Sequence, residues 1–157
     1  MNLSEHFTLA ELTKTGTGLA NIPPQAATAL AQKLCQLLLE PIRAYLGSPI
    51  RITSGYRSPE VNAAVGGAAT SDHCWDAEGV ACDFQCSNLK GTFDWIRLES
   101  GLPFDQAILE YGKIPDSATD DCIHISYRTN PRRLAMTGQT NNRSKYQYVE
   151  VRELEGA

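Results

Sequence analysis

The sequence has few histidines and no long apolar run. Only three histidines occur in 157 residues, so any site built on imidazole must use these positions. No stretch approaches the ~20 apolar residues of a membrane-spanning helix, and residues 1–7 lack the basic start and apolar stretch of a secretory signal. We therefore expect a protein without membrane insertion, synthesised in the cytoplasm, which would reach any substrate outside the membrane only after release or delivery.

Positive charge is also scarce. The 14 Lys and Arg residues are outnumbered by 18 Asp and Glu residues, which gives a net charge of -4. Duplex nucleic-acid binding normally uses a basic face that neutralises phosphates, so we expect no nucleic-acid partner. Residues 128–145 are the exception, with five cations and no acid. We expect a solvated basic loop there; contact with an anionic polymer such as a cell wall is the alternative.

The five cysteines include no Cys-x-x-Cys pair, which is the usual spacing of a structural zinc site. Their odd number excludes a fully paired disulfide framework and fits synthesis in a reducing compartment. Cys74, Cys82 and Cys86 nevertheless lie close to His73 in the sequence. Thiolate ligation of a metal therefore stays open as an alternative to buried, unreactive thiols.

The length and the order of the patterns predict one domain over residues 1–157. A motif-bearing core spans about 5–130, followed by a basic loop and a possible edge strand within 128–157. Helix signals precede strand signals, which favours an α+β fold with an antiparallel sheet and helices packed on one side. Helices are predicted over 7–12, 25–46, 59–65 and 88–99, and strands over 49–53, 80–84, 105–111, 122–127 and 146–151.

Local residues mark the ends of several helices. Thr8 and Ser58 are predicted N-caps, because a hydroxyl there can accept a hydrogen bond from the first turn. Pro41 predicts a bend in the second helix, and Gly47 predicts its end. These signals make the first half of the chain the better-defined half.

Two imidazoles and one carboxylate stand out as metal ligands. His73 and Asp83 flank a turn of small and polar residues, and His124 lies in a predicted strand. Catalytic zinc takes three such protein ligands and keeps one position open for water or substrate. A hydrogen-bonded or surface side chain is the alternative for each histidine taken alone.

Four ordered motifs carry a resemblance to a known family. They are Ser-Gly-Tyr-Arg-Ser at 54–58, Ser-x-His at 71–73, Gly-x-Ala-x-Asp at 79–83 and His-Ile-Ser at 124–126. Together they resemble the zinc D-Ala-D-Ala carboxypeptidase and L-alanyl-D-glutamate endopeptidase family, whose fold is shared with the hedgehog signalling domain. Residues 7–12 and 62–67 are also similar to the phage and prophage lysis peptidases. The likeness covers about residues 5–130.

The resemblance implies a hedgehog-type fold and one zinc ion per chain, held by His73, Asp83 and His124. The chain departs from the family in a longer loop between His73 and Asp83, which contains Trp75. It also has Cys122 where relatives commonly carry Trp. We expect Trp75 to replace that aromatic wall of the substrate site.

The resemblance also implies a carboxylate base three residues before the last histidine. Asp121 occupies that position, and Asp120 is the alternative. Residues three apart on an extended strand face opposite sides, so Asp121 requires a bend or a bulge to reach the site.

Arg57 resembles the family arginine that holds a substrate carboxylate or carbonyl. Its planar guanidinium suits both tasks, although an ordinary surface cation is the alternative. Ser71, Gln106 and Glu110 are predicted to support the ligands or the substrate.

These residues predict a zinc-dependent peptidase that hydrolyses an amide bond in peptidoglycan stem peptides. The resemblance favours a monomeric phage or prophage endolysin, acting as a D-Ala-D-Ala carboxypeptidase or as an L-Ala-D-Glu or cross-bridge endopeptidase. A non-catalytic zinc-containing wall-binding module and a phage tail-associated wall-degrading protein are the alternatives. The choice of bond depends on whether the loops close one end of the groove.

Overall fold

A computed structural model of the chain describes residues 1–111, 121–141 and 145–150. The helices are α1 (Leu9–Leu12), α2 (Thr28–Leu34), α3 (Glu40–Leu46), α4 (Pro59–Ala64) and α5 (Leu89–Leu98). The strands are β1 (Arg51–Ser54), β2 (Gly79–Gln85), β3 (Gln106–Tyr111), β4 (Cys122–Arg128), β5 (Leu134–Asn141) and β6 (Lys145–Glu150). None of these helices is long and apolar enough to cross a membrane.

Both predicted hydroxyl N-caps are confirmed. The Thr8 side chain accepts a hydrogen bond from the Glu11 backbone N–H at 3.2 Å, which satisfies a donor of α1. Ser58 does the same for Val61 at 3.2 Å, and α4 begins with a proline directly after it. These short helices therefore begin where local hydrogen bonding predicts.

The helical segment predicted over 25–46 is continuous but irregular. A 3-10 turn at Gln25–Ala27 leads into α2, and a π turn at Cys35–Leu39 joins α2 to α3. Pro41 lacks a backbone N–H and its ring would clash with the carbonyl four residues earlier, so the wider turn just before it accommodates the ring. Gly47 ends the segment with a left-handed φ of 64°.

The strands form one sheet with the order β1-β2-β4-β3-β5-β6. The α+β class is confirmed, and the sheet departs from the antiparallel expectation in one place, where β3 and β5 are parallel. The chain leaves β4 beside the first residues of β3 and re-enters the sheet on the other side of β3. Strand β5 must then run in the same direction as β3.

Part of the basic segment at 128–145 is a strand and not the solvated loop that its composition predicts. It contains β5, which pairs with β3 on one side and with β6 on the other. The predicted last strand exists as β6 and lies at an edge of the sheet. Backbone pairing with β3 thus orders a segment whose side-chain pattern gave no strand signal.

The hydrophobic core lies between the helices and one face of the sheet. Helix α2 packs on β2 and β4, and α5 packs on β3 and β4. Alternating residues of the two central strands are fully buried on this side: Val80, Cys82, Phe84, Ile123 and Ile125. Because side chains alternate along a strand, Asp83 and His124 must lie on the opposite face.

A buried carboxylate ties the start of β3 to the segment that leads into β5. Asp105 is fully buried and accepts two hydrogen bonds from the Arg132 guanidinium, at 2.9 and 2.7 Å. Arg128 lies 3.3 Å from the same carboxylate and also donates to Asp72 at 3.0 Å. This network connects the loop that carries His73 to the ends of three strands.

We expect Asp105→Asn to lower the free energy of unfolding by about 2–3 kcal/mol, because two arginines lose their buried partner. Burial alone would raise the pKa of Asp105, but the Arg132 hydrogen bonds and the arginine charges lower it below the ordinary value of 3.8. The stabilisation is therefore fully present above that value and is lost as the pH falls through the folded-state pKa. Denaturant unfolding of both proteins between about pH 3 and 7 measures this difference.

Asp94→Asn is the matched control. Asp94 is 31% exposed and pairs with Lys90 and Arg97 of its own helix, so its loss should change the free energy of unfolding by less than about 1 kcal/mol. Equal effects of the two substitutions would contradict the role of Asp105.

Candidate metal centre

Three predicted ligands meet on the sheet face opposite the helices. The Nε2 atom of His73 lies 3.1 Å from Asp83 Oδ1, and the Nδ1 atom of His124 lies 2.9 Å from the same oxygen. One donor atom from each residue lies within 4.8 Å of the others. All three residues are buried, with 4–6% of their surface exposed. The geometry therefore brings two imidazoles and one carboxylate to a single point.

Pairing of the two central strands explains two of these positions. Asp83 in β2 is directly opposite His124 in β4, in an antiparallel register that extends from Gly79 to Phe84. Directly opposed side chains lie on the same face of a sheet, about 4.5–5.5 Å apart at Cβ. A shift of one residue in this register would send one of the two side chains into the core.

The turn that follows β1 fixes the orientation of His73. Its Nδ1 donates to the Gly55 carbonyl at 2.7 Å, so Nε2 is the ring nitrogen directed at Asp83. The Arg57 backbone N–H donates to the His73 carbonyl at 2.8 Å. Gly55 cannot be replaced freely, since a Cβ there would lie 2.0 Å from the Leu12 carbonyl oxygen. The end of α1 thus packs closely against the turn that contacts His73.

Ser71 makes hydrogen bonds within the loop that carries His73. Its hydroxyl accepts from the His73 N–H at 3.3 Å, and its carbonyl accepts from the Cys74 N–H at 3.0 Å. The side chain therefore shapes the turn that carries His73.

The electrostatics of the three residues favour a bound cation. Burial alone would raise the pKa of Asp83, but the adjacent His73 and His124 hold it well below its usual range. Burial would lower the pKa of His124, yet its hydrogen bond to Asp83 and that negative charge raise it overall. A buried ionised carboxylate between two imidazoles is compensated well by a divalent cation. Two nitrogens and one oxygen are also a donor set of catalytic zinc, so the residues fit the metal.

A second group of potential ligands shares Asp83 with the first. It contains Glu110 of β3 and Cys122 of β4, with one atom of each residue within 4.8 Å of the others. Glu110 is 7% exposed, and the Cys122 thiol donates to its Oε2 at 3.6 Å. The sequence predicted only a supporting position for Glu110, whereas the structure places its carboxylate beside the metal ligands.

Register explains why Glu110 reaches the site. It lies opposite Cys122, and Cys122 is two residues before His124 on the same face of β4. The available signal in the sequence was an acidic residue near the end of the strand that precedes the strand of His124. Without the pairing partner, however, the sequence does not show which face of β3 carries Glu110.

Arg57 lies at the margin of the ligand group. Its Nη2 is 3.9 Å from Asp83 Oδ2, while its Nε donates to the Ser54 hydroxyl at 3.1 Å and its Nη1 to Asn62 Oδ1 at 3.4 Å. The side chain is 20% exposed, so it is neither fully buried nor an ordinary surface cation. Ser54 and Asn62 position this guanidinium, a role that the sequence analysis did not assign to them.

The predicted base is Asp121, with Asp120 as the alternative. Asp120 lies outside the described residues. Asp121 directly precedes β4, and its carbonyl accepts from Gln85 Nε2 at 3.0 Å. Within residues 1–111, 121–141 and 145–150, Asp121 belongs to neither group of potential ligands. Its catalytic role stays a prediction.

Two further predicted residues, Trp75 and Gln106, make contacts around the loop that carries His73. Trp75 is 3% exposed, donates to the Ala81 carbonyl at 2.9 Å and packs against Tyr56, so it anchors the loop and presents no open aromatic wall. In the orientation that satisfies both of its amide atoms, Gln106 donates to Asp72 at 3.1 Å and accepts from Arg132 at 3.2 Å. Gln106 therefore belongs to the charged network of the histidine loop.

The cysteines are free thiols, and all five lie in the described residues. Cys74, Cys82 and Cys86 belong to neither group of potential metal ligands found there. Cys82 lies on the helix side of the sheet, where burial raises its pKa well above 9.0 and keeps it protonated. The geometry favours the imidazole and carboxylate donors over these thiolates.

The sequence of the chain matches a model of the family described as Peptidase M15 over residues 5–103. The match covers more than half of the chain and includes Arg57, His73 and Asp83. It ends before β3, so Glu110 and His124 are placed at the site by the sheet alone. No curated protein matches the chain.

We expect the purified protein to carry about one zinc ion per chain and each of His73→Ala, Asp83→Ala and His124→Ala to lose most of it. Each substitution removes one of three donors from a site that needs all of them. Elemental analysis measures the metal, and circular dichroism checks the fold. The control is the double variant Cys74→Ser, Cys82→Ser, which should retain zinc. Loss of zinc from the control with retention in the three alanine variants would establish thiolate ligation instead.

Proposed function

Because this chain belongs to the Peptidase M15 family of zinc metallopeptidases, we propose that it hydrolyses an amide bond in peptidoglycan stem peptides. The buried group of His73, Asp83 and His124, with a carboxylate and a guanidinium beside it, is the observation that carries the proposal. The stem-peptide substrate is supported by the four ordered motifs at 54–58, 71–73, 79–83 and 124–126. Segments 7–12 and 62–67 support a phage or prophage lysis enzyme.

The metal would be held by His73 Nε2, a carboxylate oxygen of Asp83 and His124 Nδ1. Zinc, when bound, acidifies a water molecule and polarises the carbonyl of the amide. Gly55 orients one imidazole, and the β2–β4 register orients the other.

Amide hydrolysis also needs a group that takes a proton from water and returns it to the leaving amine. We assign this role to Glu110, because its carboxylate is buried and lies within 4.8 Å of the Asp83 donor. The hydrogen bond from the Cys122 thiol holds it toward the ligands. Asp121, which the family pattern favours, is the competing assignment.

Arg57 would bind the substrate next to the metal. Ser54 and Asn62 hold its Nε and Nη1, which directs Nη2 toward the ligand group. A guanidinium in this position can donate two parallel hydrogen bonds to a carboxylate or stabilise the developing negative charge of a carbonyl oxygen. Its partial exposure leaves it accessible to a peptide.

We expect Glu110→Gln to fold, retain zinc, bind stem peptide and lose about 10²–10⁴-fold in kcat. The amide keeps the size of the side chain but cannot accept the proton. Mass spectrometry of fragments released from a purified stem pentapeptide measures turnover, and elemental analysis measures zinc.

Asp121→Asn is the comparison variant for the same assay. Turnover close to wild type in this variant would agree with Glu110 as the base. If Asp121→Asn is inactive and Glu110→Gln is active, the peptidase function stands and the base is Asp121. Wild-type protein that binds zinc and stem peptide but releases no fragment would replace the peptidase proposal with a wall-binding module.

We expect Arg57→Ala to keep its zinc and its melting temperature but to lose about 10²-fold in kcat/KM. Arg57→Lys should restore only part of the activity, because an ammonium group cannot supply the planar pair of donors. Kinetics on the same pentapeptide, with thermal unfolding as the fold check, tests this assignment. Unchanged kcat/KM in the alanine variant would remove Arg57 from the substrate site.

A further inference from the structure

A cavity of 260 Å³ adjoins Arg57, and none of the three metal ligands lines it. One wall is the N-terminal segment from Lys14 to Thr17, and the others come from the end of β1 and from α4. Arg57 contributes to the cavity while its Nη2 lies 3.9 Å from Asp83 Oδ2. The cavity is therefore next to the proposed reaction site and separate from it.

The N-terminal wall is held firmly in place. The Asn21 side chain donates to the carbonyls of Thr13 and Tyr56, both at 2.8 Å, and accepts from the Ser58 N–H at 2.7 Å. The hydroxyls of Thr15 and Thr17 lie 3.0 Å apart within hydrogen-bond distance. These bonds anchor the segment to the turn that carries Arg57, so the wall of the cavity is built from the chain's own hydrogen bonds.

The lining has the chemistry of an anion site. It contains two cations, Lys14 and Arg57, together with the hydroxyl-bearing residues Thr15, Thr17 and Thr53. No carboxylate belongs to this lining in the described part of the chain. Its volume is somewhat below the ~300–1,000 Å³ of pockets for drug-sized ligands, which leaves room for a short piece of peptide.

We propose that this cavity binds a carboxylate-bearing residue of the substrate, and that Lys14 determines specificity for it. The proposal rests on the proposed peptidase function and extends it beyond Arg57. A stem pentapeptide with lysine as its third residue offers two sources of this chemistry, the α-carboxylate of its D-glutamyl residue and its terminal carboxylate. Lys14 would supply a charge that attracts either one, while Arg57 holds the peptide toward the metal.

Three synthetic pentapeptides test the proposal on the zinc-loaded protein at about 0.15 M salt, where distant charges are screened. One has both carboxylates, one has the D-glutamyl carboxylate as an amide, and one has the terminal carboxylate as an amide. We expect one of the amides to raise KM about tenfold in the wild type, since a charge-assisted hydrogen bond is lost. The amide that does so identifies the source.

Lys14→Ala should raise KM for the unmodified pentapeptide about tenfold and remove the preference for the carboxylate. Lys14→Glu should reverse the preference, so that the KM for the amide peptide that identified the source is lower than the KM for the unmodified peptide. Lys33→Ala is the matched control, because it removes the same charge from an exposed position on α2 and should leave the preference unchanged. Dissociation constants measured by calorimetry with the slow Glu110→Gln variant give a readout independent of turnover.

The outcomes separate this proposal from the proposed function. Hydrolysis of all three peptides with equal KM overturns the carboxylate site and leaves the peptidase function intact. An equal change of preference in Lys33→Ala and Lys14→Ala also overturns it, since the effect would then be that of overall charge. Selective binding without hydrolysis supports the carboxylate site and refutes the peptidase function. If the protein neither binds nor hydrolyses any of the three peptides, both proposals are refuted.

Discussion

Antiparallel pairing of β2 with β4 places the Asp83 carboxylate directly beside His124, on the face that the helices leave uncovered. The opposite face of the same two strands supplies fully buried core residues, so the register is fixed by hydrophobic burial. Stability and site geometry thus depend on one alignment. The imidazoles around the Asp83 carboxyl hold its pKa well below its usual range.

The third ligand depends on contacts that are remote in sequence. His73 is oriented by the carbonyl of Gly55, and Gly55 passes so close to the end of α1 that no side chain fits there. Asp72, next to the histidine, is tied to Arg128 at the end of β4. The short N-terminal helix and the charged network at the strand ends therefore both constrain the loop that carries His73.

Arg57 lies between the proposed reaction site and the cavity lined by Lys14. Its side chain is fixed by Ser54 and Asn62, while its backbone holds the carbonyl of His73. One residue therefore connects the loop that carries His73 to the surface proposed to bind the peptide. The motif at 54–58 therefore contains Arg57 together with residues that hold Arg57 and His73 in position. A substrate that engages Lys14 would bind against a wall already anchored by Asn21.

The sequence by itself determined the helix caps and the α+β class, and it singled out His73, Asp83 and His124 as candidate metal ligands, because these depend on local hydrogen bonding, alternation and residue chemistry. Two things were decided only by tertiary structure. One is the parallel strand β5, whose partner β3 is distant in the chain. The other is the placement of Glu110 beside Asp83 and of Trp75 in the core. A single strand does not reveal which of its faces is buried, and only the packing of the helices on one side of the sheet settles that choice.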